Sequence, residues 1–260
     1  MRQMKKRIYA GNVLEQIVYN IPEGGKIEDN PEKKKRKRFE DQESYDKFKL
    51  EISRRIHIRL FNANFSPSSI YGTLTFDDEW EVHTFEDAKR IARNYLRRLK
   101  NKYPDAVIFL YMGRGKGTQR IHFHTVSEGI PEAFLSEKWK YGKVRRFEHL
   151  RQHNWYGNED HGQDYTGLAN YLFNHWTPEV GGHRWIMTKN AKKPEEEKAT
   201  EVHIRGGYHS KRSPVAPKGY KLVDIKATQY GCTYFKYVMI PQKKEKEKRA
   251  EKHRHPGRLD

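Results

Sequence analysis

Residues 106–126 read AVIFLYMGRGKGTQRIHFHTV, and the fold is read outward from them. The first seven form an unbroken apolar run containing Val and Ile, the composition of a strand buried on both faces. Gly113, Gly115 and Gly117 then turn the chain. Residues 120–126 alternate, which sets His122, His124 and Val126 on one face and Ile121, Phe123 and Thr125 on the other. Two adjacent antiparallel strands are expected.

Upstream, IYGTLTF at 70–76 shows the same period of two, followed by an acidic turn of Asp77, Asp78 and Glu79. Thr84 then stands as a helix N-cap with Asp87 three residues on. Phe85, Ala88, Ile91, Ala92, Tyr95, Leu96 and Leu99 recur at spacings of three and four, an amphipathic helix of about four turns with Lys and Arg on its outer face. Further helices are expected from Pro131 and from Tyr165, and strands in 219–228 and 229–239 that either complete the sheet or form a small accessory hairpin. The order implies an α+β fold with a central antiparallel β-sheet and flanking helices. A domain over 46–240, with its core at 69–185 and C-terminal strands at 219–240, would lie between a loosely attached basic arm over 1–45, which contains KKKRKR at 33–38, and a charged, disordered tail over 241–260.

Composition narrows the function. In 260 residues, 52 Lys+Arg stand against 34 Asp+Glu, a net charge of 52 − 34 = +18. Such an excess concentrates polyanions through its field and through counterion release, so nucleic acid is the first partner to consider. No apolar run reaches the roughly 18 residues of a membrane span, and no signal-peptide pattern opens the chain, so a cytoplasmic protein without a membrane partner is expected. The single cysteine, Cys232, excludes an intramolecular disulfide and a cysteine zinc cage. A metal site must therefore use His and carboxylates.

His122 and His124 are such a pair, because residues i and i+2 of a strand point the same way about 7 Å apart. Gln119, Glu128 or an acid from another strand would complete a mixed N/O set suited to Mn²⁺ or Mg²⁺, and His161 and His183 are further loop candidates. The segment DYTGLANYLFNHW, 164–176, has helical character and places Tyr171, Asn174 and His175 on one face. A phenol titrates near 10 in water, so a tyrosine nucleophile needs a neighbouring cation. Arg114, Lys116 and Arg120 around the glycine loop, with Trp155, Tyr156, Arg184 and Trp185, are candidate DNA contacts, the aromatics stacking on unpaired bases. GRGKGT at 113–118 is not a P-loop, and no nucleotide-hydrolysis motif is present.

Together, TLTFDDE at 73–79, IHFHTV at 121–126 and a later helix carrying a tyrosine resemble the rolling-circle replication initiators of the HUH endonuclease superfamily, most closely its small-phage and mobile-element branch. The resemblance covers roughly 69–185. It implies that His122 and His124 bind a divalent ion and that Tyr171, with Tyr165 as the less favoured alternative, attacks the DNA backbone to leave a 5′-phosphotyrosine. The implied partners are single-stranded DNA at a replication origin and a host helicase and polymerase. Asn174 stands where the family usually has Lys, and His175 where some branches carry a second Tyr, which implies a one-tyrosine enzyme. The branch also often carries a Glu shortly before the histidine pair, where this chain has Gly113, Arg114 and Gly115, so the third ligand stays open. A transposase or relaxase of the same chemistry, and a non-catalytic basic nucleic-acid-binding protein, are the competing readings.

Overall fold

The computed structural model describes residues 1–24, 32, 39–80, 82–115, 117–175, 184–203, 214–229 and 231–240. Lys116, His183, the run 33–38 and the tail 241–260 lie outside the described residues. The chain opens with two strands, β1 (Arg2–Ala10) and β2 (Val13–Ile21), then α1 (Gln42–Asn64) and β3 (Ile70–Thr75). After α2 (Phe85–Lys102) come β4 (Val107–Arg114), β5 (Ile121–Glu128), α3 (Glu132–Lys138) and β6 (Val144–His149). The short hairpin β7 (Trp155–Tyr156) and β8 (Glu159–Asp160) precedes α4 (Thr166–Asn174). Short strands β9 (Ile186–Met187), β10 (Glu195–Glu196) and β11 (Thr200–Val202) lead to β12 (Tyr220–Ala227) and β13 (Cys232–Met239).

The fold is α+β with antiparallel sheets, as expected. The central sheet runs β6-β3-β5-β4-β9, and β4 lies where its apolar run requires, buried along its length to Gly113. Leu74, Ile108, Leu110, Met112, Ile121 and Phe123 pack on one face against Ala88, Ile91, Tyr95 and Leu99 of α2. The other face presents Val107, Phe109, Tyr111 and Val126 to Leu60 and Phe61 of α1 and to Ala169 and Leu172 of α4. Thr84 caps α2 as its spacing with Asp87 predicts, its hydroxyl oxygen accepting from the Asp87 N–H at 3.2 Å.

The expected basic arm over 1–45 is corrected. Residues 2–21 form a hairpin inside a second sheet, β10-β1-β2-β13-β12, with β11 also pairing β1. The C-terminal strands therefore join the N-terminus and not the central sheet, β13 pairing with β2 from Cys232 opposite Tyr19 to Val238 opposite Val13. Two physical features drive this. Gly11, in the left-handed region at φ 58°, allows a two-residue turn between β1 and β2, and a Cβ there would lie 2.2 Å from the Asn62 carbonyl oxygen. Met4, Ile8, Leu14, Ile17 and Val18 are buried, more apolar surface than a solvated arm leaves behind. The sheet is tied to α1 through charge, with Glu15 accepting from Arg55 at 2.5 Å and from Arg59 at 2.7 Å. Arg59 also forks onto both oxygens of Glu32, so its buried guanidinium is compensated on both sides. No described helix is long and apolar enough to cross a membrane.

Candidate metal centre

Antiparallel register puts His124 of β5 between Thr73 of β3 and Tyr111 of β4, and His122 between Thr75 and Gly113. All six lie on the face covered by α1 and α4. The helix α4 docks there through Ala169, Leu172 and Phe173, which are buried, and its C-cap residue, His175, reaches the two strand histidines. His175 Nε2 stands 2.8 Å from His122 Nε2 and 3.0 Å from His124 Nε2. The ligand atoms of the three histidines all lie within 4.8 Å of one another.

Glycine at 113 makes this convergence possible. A Cβ at that position would lie 2.4 Å from His175 Nε2 and 2.3 Å from its Cδ2, so any side chain there would expel the imidazole. Gly113 is thus the gap through which a third nitrogen enters from a helix.

Nitrogens about 2.1 Å from one ion, at right angles, stand about 3 Å apart, and the two separations to His175, 2.8 and 3.0 Å, match that spacing. The outer contacts agree. His124 Nδ1 lies 2.7 Å from the Tyr71 phenol oxygen and 3.1 Å from Thr73 Oγ1, an arrangement that fixes the ring and, with Nδ1 protonated, leaves the Nε2 lone pair aimed at the cluster. Burial, then the neighbouring His175 and His122, pushes the His124 pKa down to about 3, and burial with His122 lowers that of His175. Neutral imidazoles are the form that ligates. The cluster can hold a metal ion, and its donors are all nitrogen.

Among the expected ligands, His122 and His124 are in the cluster, Glu128, Gln119 and His161 are elsewhere, and His183 lies outside the described residues. Glu128 closes the far end of β5, about 20 Å along the strand from His122, where it accepts from the hydroxyls of Ser66, Ser68 and Ser69. Gln119 sits in the β4–β5 turn with φ 55°, its N–H donating to the Gly115 carbonyl. His161 is buried between Tyr156, on which it stacks with ring centroids 4.6 Å apart, and Asp164. His175 was read from the sequence as a neighbour of Tyr171 and not as a ligand; its one signal there is the spacing i+4 from that tyrosine.

Tyr171 is 51% exposed, and its ring centroid lies 5.3 Å from that of His175 and 5.9 Å from that of His124. Tyr165, by contrast, is buried, donates its hydroxyl to the Arg151 carbonyl, and has its pKa raised by burial and by Glu128. The candidate DNA contacts are scattered. Arg114 donates to the carbonyls of Gln119 and His83, and Arg120 pairs with Asp78. Trp155 is exposed, while the Tyr156 hydroxyl accepts from the Gly167 N–H. Arg184 lies over the Phe173 ring and Trp185 packs 4.7 Å from His57.

No family model matches this chain, and no match was found among curated proteins or solved structures.

Proposed function

We propose that the protein nicks and rejoins single-stranded DNA through Tyr171, acting in the cytoplasm to initiate rolling-circle replication at an origin, as its resemblance to HUH endonucleases implies. The observation that supports this reading above all others is the exposed phenol of Tyr171 beside three convergent Nε2 atoms, one of them four residues along its own helix. An ion held by His122, His124 and His175, Mn²⁺ or Mg²⁺ in this reading, would supply Lewis acidity to a non-bridging oxygen of the scissile phosphate. Tyr71 and Thr73 hold the His124 ring in place. Tyr171 contributes the nucleophilic oxygen. Its bond to phosphorus forms as the bond from phosphorus to the 3′ oxygen breaks, the electron pair leaves on that oxygen, and the proton lost by the phenol is balanced by the one the 3′ hydroxyl gains. One phosphodiester replaces another, so attack by a 3′ hydroxyl reverses the step without ATP. The free 3′ end serves a polymerase, and unwinding falls to a separate helicase.

The test is incubation of wild type and Tyr171→Phe with Mn²⁺ and labelled single-stranded oligonucleotides that include the element's own origin, followed by denaturing gels. A covalent adduct with wild type alone is expected. An adduct formed equally by both variants would move the nucleophile. No adduct, with salt-sensitive binding retained, would leave a non-catalytic binding protein.

A further inference from the structure

Beside His122 opens a groove of about 900 Å³, lined by Arg120 alone of the expected DNA contacts among the described residues. Its walls differ in chemistry. One is the 3₁₀ turn after β3, which presents exposed Trp80 (51% exposed) with Asp77 and Glu79; the other, from the segment after α3, presents exposed Lys140 and Lys143. Trp80 is braced edge-on by Tyr141, ring centroids 5.4 Å apart.

Both walls are anchored through backbone. The Thr75 N–H donates to the Lys143 carbonyl at 2.9 Å, and the Asp77 N–H to the Tyr141 carbonyl at 3.0 Å. Between them Gly142 allows the approach, since a Cβ there would stand 2.4 Å from the Thr75 carbonyl oxygen and 2.5 Å from the Asp77 nitrogen. Arg120, just before the first residue of β5, pairs with Asp78 and ties the acidic wall to that strand. Neither Lys140 nor Lys143 has an ion-pair partner among the described residues.

We infer that this groove is a polarised track for a single strand, with phosphates along Lys140 and Lys143 and a base stacked on Trp80. Its exocyclic amino group would donate to Asp77 or Glu79. The inference rests on the nickase reading only in taking the strand to end at His122. A uniformly basic channel would hold any strand alike, whereas carboxylates beside a stacking ring accept from the exocyclic amino group of cytosine or adenine, in whose place thymine offers a carbonyl oxygen that they repel. The acids also repel phosphate from that wall, which fixes the strand's orientation.

The experiment measures binding of labelled (dC)₁₂ and (dT)₁₂ by fluorescence anisotropy in EDTA, so that neither metal nor cleavage enters. Wild type is expected to prefer (dC)₁₂ by roughly tenfold. Asp77→Asn combined with Glu79→Gln should collapse that preference. Trp80→Ala should weaken (dC)₁₂ binding by about tenfold, with Trp80→Phe within about threefold of wild type. Lys140→Gln combined with Lys143→Gln should reduce the slope of log affinity against log salt by about 1.4; these exposed lysines test the track even if Trp80→Ala fails to fold. Wild-type affinity, preference and slope in all these variants would overturn the track, and would do so even if Tyr171 forms an adduct. The expected pattern without any adduct would keep the track and reject the nickase.

Discussion

Two histidine sites share one face of the central sheet, and their difference shows what marks a functional centre. His57 of α1 is buried, its Nε2 2.7 Å from the Tyr111 hydroxyl, and Phe61, Tyr111, Phe173 and Trp185 surround its ring. Next to Tyr111 in register stands His124, whose pKa is also pushed to about 3 by burial. Burial and a depressed pKa therefore do not separate the two. Convergence does: His57 turns one nitrogen to a phenol inside an aromatic box, whereas His122, His124 and His175 turn three Nε2 atoms toward one point beside the exposed Tyr171.

The sharpest way to break this contrast is at the nucleophile. Tyr171→Phe should lower adduct formation by roughly 10³-fold or more while leaving metal affinity within about twofold, since the ring stays and only the attacking oxygen goes. Equal effects on both would make Tyr171 a ligand. At Gly113, Ala should weaken metal binding by roughly 10 to 100-fold, the size of effect expected when a ligand's support is lost, with the secondary structure unchanged by circular dichroism. Metal affinity equal to wild type would mean that His175 is not a ligand.

On the structural side of the contrast, His57→Ala should cost about 2 to 4 kcal/mol in denaturant unfolding, from a cavity and an orphaned Tyr111 hydroxyl, and leave metal affinity unchanged. A metal defect there would merge the two sites. The smallest effect is in pH. His57 is neutral in the fold, its pKa lowered by burial to about 3, while an unfolded histidine titrates near 6.5. The unfolded chain takes up the proton first as pH falls, so this stabilisation is complete above about 6.5 and drains away toward about 3. His57→Phe should flatten the stability profile across that window, and an unaltered slope would remove His57 from the account.

What could be read in the sequence follows the same division between regular and assembled features. β3, β5 and α2 were legible from the periods of their apolar residues, and β4 because burial on both faces leaves an unbroken apolar run. The helix α1 was not, because it is buried against both sheets and its covered residues include His57, Arg59 and Asn62 beside Leu60 and Phe61. β1 and β2 hid similarly, since Lys6 and Gln16 are buried and Lys6 is matched by Glu196, so a strand of a packed sheet reads as a basic arm. At the centre, the two strand histidines carry their own spacing, but His175 arrives from 51 residues beyond His124, with its place four residues after Tyr171 as its one mark in the sequence, and the room it fills is the missing side chain at Gly113.

The most direct test is the metal content of the purified protein after equilibrium dialysis against Mn²⁺, for wild type, His122→Ala, His124→Ala, His175→Ala and His57→Phe. One ion per chain is predicted for wild type and His57→Phe, and a loss of affinity of at least about a hundredfold for the other three. A wild type that binds no ion, or a His175→Ala variant that binds as wild type does, would contradict a three-histidine centre.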